Sequence, residues 1–406
     1  MSDTKIGLWL VGAWGGVATT VAVGLAALQE GLTPEFGLVS ALPKFQELDL
    51  IDWDQLVIGG HEIRDLSYGQ AASQLNELSG VFSTELLDAI ADRLAVFDDN
   101  VRPGTLINVG KTISSLAGRR TKSLDKERPV AAIERISTDL NEFRERHELD
   151  HVIVMNLAST EPSLDDKVGS LSWQELSKKL ENARTSPLPA SSIYAVAAML
   201  SECSYVNFTP SSGSNLPVLE ELALQQGVLH YGRDGKTGET LMKSVLAPMF
   251  ANRNLKVLSW VGHNIFGNLD GKVLDDPVNK ANKVRSKDHL LTEILGYKPQ
   301  TLVSIEYIES MGDWKTAWDH IHFQGFLNTK MMLQFTWQGC DSLLAAPLVL
   351  DLVRFTEREW RQGKSGLMTH LASFFKSPMG TVVPEFGRQF QLLEAWANGV
   401  IDGKNG

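Results

Sequence analysis

Residues 8–31, LWLVGAWGGVATTVAVGLAALQEG, decide the fold class. The apolar run ends at Gly12, and Gly15 and Gly16 open a stretch of Ala, Val and Leu that reads as a helix stopping at Gly31. A buried strand that turns on glycine into a helix is the first unit of a nucleotide-binding βαβ fold. The unpaired N–H groups and the dipole of the helix N-terminus favour a pyrophosphate there. The candidate cofactor contacts are thus Gly12, Ala13, Trp14, Gly15, Gly16 and Val17. Their spacing departs from G-x-G-x-x-G, since Trp14 and Val17 take the second and third glycine positions. Read alone, the turn serves equally well as a tight connection that binds nothing.

The same theme recurs through the first two-thirds of the chain. Short β-branched runs at 6–11, 37–40, 56–58, 106–109, 152–156 and 205–209 alternate with helix-like stretches such as 83–97 and 130–147. Short strands spaced by long helical patterns indicate parallel βαβ units. Ligands collect outside the C-terminal ends of such strands. Asn108 falls there near the end of the fourth run, and Asn156, Ser159 and Thr160 at and beyond the end of the fifth; Asx and Ser/Thr turns account for the same residues. The second run ends in SALPKF with no acidic residue to hold a ribose, so the pattern does not choose between NAD and NADP. The sixth feeds TPSSGSNLPVLEELALQQG, where Ser211, Ser212, Gly213, Ser214 and Asn215 crowd a helix start. That chemistry suits a substrate phosphate, and it also suits ordinary N-capping.

After about residue 240 the rhythm changes. Alternating or aromatic runs at 256–261, 301–308, 320–326 and 330–337 are joined too closely for helical crossovers, so an antiparallel or mixed sheet is expected. Residues 343–361 and FQLLEAWANGV turn helical again. The expected architecture is α/β: a doubly wound, Rossmann-like domain from 1–237 and 342–406, with an inserted, sheet-rich α+β domain at 238–341.

At 406 residues the chain exceeds one ordinary core, and its net charge of −11 repels phosphate-rich partners, arguing against nucleic acid and membrane surfaces. The apolar run at 343–353 is shorter than a membrane span and is broken by Pro347 and Asp351. Cys203 and Cys340 form no CxxC pattern, and no signal peptide is read at the N-terminus, so a cytoplasmic protein is expected. His320 and His322 share a strand face without an evident third ligand, and no metal is expected.

The densest chemistry lies at 263–287, HNIFGNLDGKVLDDPVNKANKVRSK. Lys283 and Lys287 are four residues apart and would share one face of a helix, each lowering the pKa of the other. Asp270, like Asp234 in GRDGK, stands in a glycine turn.

GRDGKTGETLMKSVLAPMF, the 263–287 stretch, GDWKTAWDHIHFQGF, AAPLVLDLVRF and FFKSPMG, in this order behind a glycine-rich first turn, resemble the inositol-3-phosphate synthase (myo-inositol-1-phosphate synthase) family, especially its shorter bacterial and archaeal branch. The resemblance spans nearly the whole chain. It implies tightly held NAD and glucose 6-phosphate as substrate, with oxidation at C5, enolisation, aldol closure and return of the hydride. It implies four active-site lysines at Lys283, Lys287, Lys315 and Lys376, with Lys283 in proton transfer and the others on oxyanions and phosphate. It also implies acids at Asp234, Asp270 and Asp341, the last near the nicotinamide, and Asn264 lining the substrate pocket. A homotetramer built largely on the inserted sheet is expected from the same resemblance. Two departures stand out: Arg233 replaces the family's usual acid beside Asp234, and the 211–215 loop is serine-rich. Rival readings are a sugar-phosphate dehydrogenase that releases NADH and a non-catalytic NAD-binding relative.

Overall fold

The computed structural model describes residues 4–162, 168–268, 271, 290–381 and 383–403. Seven strands form one parallel sheet in the order β11-β6-β5-β4-β1-β2-β3. They are β1 Ile6–Val11, β2 Leu56–Glu62, β3 Val101–Pro103, β4 His151–Asn156, β5 Ser204–Asn207, β6 Leu229–Gly232 and β11 Gly366–Leu367. All six residues of β1 are buried, because it pairs on both edges, with β2 and β4, and carries helices on both faces. One face is covered by helices that include Gly16–Gln29 and Asp341–Trp360, the other by Pro129–His147, Ala190–Leu200 and Pro217–Gln226. The strand order reverses between β1 and β4, which opens a crevice at the C-terminal ends of the strands.

The second sheet runs β10-β9-β7-β8, with β7 Lys256–Phe266, β8 Gln300–Tyr307, β9 Trp314–Gln324 and β10 Lys330–Cys340. β7 pairs parallel with β8 and antiparallel with β9, so the sheet is mixed, as its alternating pattern suggested. Behind β10 the chain returns to the first sheet. Helix Asp341–Trp360 packs on Gly16–Gln29, and β11 extends the parallel sheet beside β6.

Three sequence readings are corrected. Residues 37–40 form no strand: the N–H groups of Val39 and Ser40 donate to the buried Asp351 carboxylate at 2.7 and 2.8 Å, and Val39–Ala41 is a single 3-10 turn. Residues 106–109 are a turn, and the strand in that region is β3, just upstream. The 83–97 helix is two, Thr84–Ala89 and Ala91–Asp98, broken at Ile90 with ψ near 6°.

β2 continues past Ile58 through two glycines because side chains there would collide with its neighbour. A Cβ at Gly59 would stand 2.7 Å from the Trp9 ring, and one at Gly60 would stand 2.4 Å from the Leu10 carbonyl oxygen. Gly60→Ala is therefore expected to cost about 1–3 kcal/mol in urea unfolding, since backbone must move. Gly24→Ala has nothing within 4 Å of its new methyl group and sits inside a helix. It is expected to stabilise the protein by about 0.5–1 kcal/mol, and equal effects of the two changes would refute this packing account.

Candidate active site

The crevice between the sheets is a cleft of about 470 Å³. Gly12, Trp14, Gly15, Gly16 and Val17 line its floor, while Ala13 turns away and packs under Gly60. The turn is anchored to the neighbouring strand: the N–H groups of Gly12 and Ala13 both donate to the His61 carbonyl, at 2.8 and 3.1 Å. Trp14 N donates to Glu62 Oε2 at 2.8 Å, and its indole N–H donates to Asp98 Oδ1 at 2.7 Å. These bonds explain a tryptophan where the usual pattern has glycine: its ring leaves the turn sideways and is 6% exposed. Gly12 has φ +83°, and a Cβ there would meet the Ala158 backbone at 3.0 Å; one on Gly16 would meet Ser342 Oγ at 2.8 Å. No side chain caps the helix that starts at Gly16. Its first N–H groups therefore suit the pyrophosphate of a dinucleotide, so the residues present fit NAD.

Glu62 ends β2 and lines the cleft. This is the strand-tip carboxylate whose absence was inferred from SALPKF; the inference attached to a segment that is not a strand. The HE pair after the double glycine was the available signal. Glu62 also accepts from the N–H groups of Ile63 and Arg64, at 2.8 and 3.1 Å, and pairs with the Arg64 guanidinium at 3.0 Å. Asn156, Ser159 and Thr160 line the cleft. Asn108 does not: its amide donates to the carbonyls of Ser186 and Leu188, both at 2.9 Å.

Of the serine-rich loop, Ser211 lines the cleft and Ser212, Gly213, Ser214 and Asn215 do not. Ser214 is fully buried against His230 Nδ1 at 3.0 Å, and Gly213 is pinned by the hydroxyls of Ser191 and Ser192. Glu161, behind this loop, bonds Ser191; burial pushes its carboxyl up to about 7 despite those hydrogen bonds.

Asp234, Lys315, Asp341 and Lys376 all reach the cleft, from four different segments. Lys376 Nζ donates to Asp234 Oδ1 at 2.8 Å, and Lys376 N donates to the Asp234 carbonyl at 2.6 Å. Lys315 Nζ stands 3.9 Å from Asp341 Oδ1 and 5.1 Å from the centre of the Phe266 ring. Next to the cleft is a pocket of about 10 Å³, room for about one water. It is lined by Gly238, Glu239, Thr240, Asn264, Lys315 and Lys376, among others. Asn264 is fully buried and donates through Nδ2 to Glu239 Oε2 at 2.8 Å, and Glu239 forms an ion pair with Lys243 one turn on. Gly238 begins the helix Glu239–Asn252 without a side-chain cap. T-G-E-T carries the glycine and the hydroxyls that such an end uses, and is the signal in the sequence for this helix start.

Arg233, the departure beside Asp234, sends its guanidinium to the Pro210 carbonyl at 3.2 Å. Asp270, Lys283 and Lys287 lie outside the described residues. Among the described residues no three His, Cys, Asp or Glu gather as a metal-binding group.

Inositol-3-phosphate synthase 1 of Bacteroides thetaiotaomicron is 33% identical over 401 residues, covering 92% of this chain and 90% of that protein. The crystal structure of inositol-3-phosphate synthase from Caenorhabditis elegans superposes with a TM-score of 0.85 at 26% identity, over 98% of this chain and 86% of that one. A myo-inositol-1-phosphate synthase-related protein from Thermotoga maritima shares the fold, with a TM-score of 0.77 at 23% identity over 97% of this chain and 98% of its own. A family model described as myo-inositol-1-phosphate synthase matches residues 6–398, and the chain belongs to that family.

Proposed function

We infer that this chain is an inositol-3-phosphate synthase, an isomerase that uses NAD to convert D-glucose 6-phosphate into 1D-myo-inositol 3-phosphate without net redox change. The observation that carries the reading is the convergence of Lys315, Lys376, Asn264 and an uncapped helix start on one polar pocket beside a dinucleotide cleft. NAD supplies the hydride acceptor at C5 and the hydride that is later returned.

The chain's own residues then bind, orient and stabilise charge. The helix start at Gly16 and Val17 holds the pyrophosphate, with Asn156, Ser159 and Thr160 across the cleft and Glu62 on the ribose side. The phosphate of the substrate is assigned to the Gly238–Thr240 helix start in preference to the 212–215 loop, because only the former borders Lys315 and Lys376. The acidic side chain in that first turn, Glu239, has its charge offset by Lys243. Ketone, enolate and aldolate forms of the substrate each concentrate negative charge on oxygen, and fixed ammonium groups stabilise such charge in a site shielded from water. Lys315 and Lys376 take that role, each oriented by a carboxylate. Lys287 is assigned alongside them, Lys283 to proton transfer, and Asp270 to the acids of the site, on their match to the family's motifs.

The division into 1–237 with 342–406 and 238–341 follows the two sheets. A homotetramer is part of the same proposal, supported by the outward face of the second sheet, where Leu302, Trp318 and Met332 stand exposed. Residues 343–353, the most apolar late run, lie in a helix packed on the parallel sheet, and among the described residues no helix is long and apolar enough to cross a membrane. A cytoplasmic location is supported by two buried free thiols, Cys203 and Cys340.

With catalytic NAD, glucose 6-phosphate should be converted to a cyclic inositol phosphate, followed by phosphorus NMR. Stoichiometric NADH in its place would establish the dehydrogenase alternative. Lys315→Met and Lys376→Met should each lower kcat about 100-fold or more while bound NAD stays constant; near-normal turnover in both would remove them from the site. Glu62→Gln should weaken NAD retention about tenfold in dialysis, as the charge that orders the turn is lost, and unchanged retention would dismiss its ribose role.

A further inference from the structure

Lys236 is 4% exposed, two residues beyond Asp234, and the reaction as described leaves it unused. Its backbone N–H donates to the Phe374 carbonyl at 2.9 Å, Gly235 bridges to Phe375, and Lys376 N returns to the Asp234 carbonyl. These bonds stitch residues 234–236 to 374–376 and set Asp234 against Lys376. The Lys236 side chain runs to the C-terminal helix, Phe386–Asp402, where Nζ donates to Gln389 Oε1 and lies 5.9 Å from the centre of the Phe386 ring. Gln389 is 2% exposed and donates in turn to the Val383 carbonyl at 2.6 Å. Its amide oxygen therefore points back to the lysine.

A lysine buried against an amide and a phenyl ring is costly to keep unless it holds something in place. The charges on the segments around it are engaged elsewhere: Asp234 with Lys376, Arg233 with Pro210, and Glu385 with Arg388 at 3.5 Å. We propose that Lys236 is a positioning residue for Lys376, tying the Asp234–Lys376 pair to the C-terminal helix through Gln389. The proposal rests on the reading of Lys376 as a cation that faces the substrate.

Burial, and next the positive charge of Lys376, bring the Lys236 pKa down to about 7. The tie is consequently a charge-assisted hydrogen bond below neutral pH and a weaker, neutral one above it. For a lysine with a depressed pKa, protonation is complete only well below 7; the charged hydrogen bond is strongest there, while burying the ammonium beside Lys376 costs stability that is recovered as pH rises above 7.

The test compares Lys236→Met and Gln389→Met with the unaltered chain, NAD-loaded, measuring kcat, KM for glucose 6-phosphate, bound NAD and thermal unfolding from pH 6 to 8.5. Both variants are expected to keep NAD and unfold cooperatively. The ratio of unaltered to Lys236→Met kcat/KM should be about tenfold at pH 6 and fall severalfold with one inflection near 7. A ratio that is constant with pH would mean a packing role alone and overturn the proposal, as would full activity of Gln389→Met, which also decides the matter if Lys236→Met does not fold. Full turnover in Lys376→Met would instead overturn the underlying reading of the site.

Discussion

Much of the molecule depends on the hydrogen bonds of one buried carboxylate, Asp313. It accepts from Ser342 N at 2.7 Å, Asn268 Nδ2 at 2.8 Å and the Cys340 thiol at 3.0 Å. Its backbone N–H donates to Ser79 Oγ at 2.9 Å, and its carbonyl accepts from Asp341 N at 2.9 Å. A buried carboxylate is tolerated only when its oxygens are satisfied, and here the donors come from different parts of the chain. The end of helix Tyr68–Ser79, the segment after β7, the start of β9 and the first turn of Asp341–Trp360 are thereby brought to one point. Lys315 and Asp341 flank that point in sequence. The carboxylate also complements the N-terminal dipole of the helix, and burial, with the carboxylate's charge second, pushes the Cys340 thiol up to about 12, so that it stays protonated and donates.

The junction is tight enough to exclude side chains. A Cβ at Gly312 would lie 2.6 Å from the Leu78 carbonyl oxygen, and one at Gly267 would lie 2.2 Å from that of Ile308. The opposite wall of the cleft is fixed in a similar way, by the His61 carbonyl and the Glu62 carboxylate that hold the turn at residues 12–14. The cofactor cleft is thus bounded by two rigid junctions, each built from a backbone that approaches too closely for anything larger than glycine.

Local patterns were readable where one element decides them. The apolar run at 6–11 and the β-branched run at 152–156 became central strands because burial on both faces demands such composition. The alternating runs of the second sheet are strands, and β7, β9 and β10 run longer than their periodicity showed. Patterns failed where a distant group outcompeted the ladder. Asp351, more than 300 residues away, takes the N–H groups at 39 and 40, and Asn108 spends its amide on the turn at 186–188. Glu62 does not read as a strand end because the glycines at 59 and 60 disguise the strand that carries it.

By itself the sequence determined the class of fold, the glycine turn and the family, since long motifs in a fixed order survive without knowledge of their contacts. It also marked Lys315 and Lys376 within those motifs. Only the tertiary structure decided which polar loops face the cleft, that the Gly238 helix start opens between two lysines, and that Lys236 answers to Gln389 some 150 residues later. The reason is physical: a side chain's chemistry is local, but whether it meets a ligand or a buried carbonyl is decided by which distant segment packs against it.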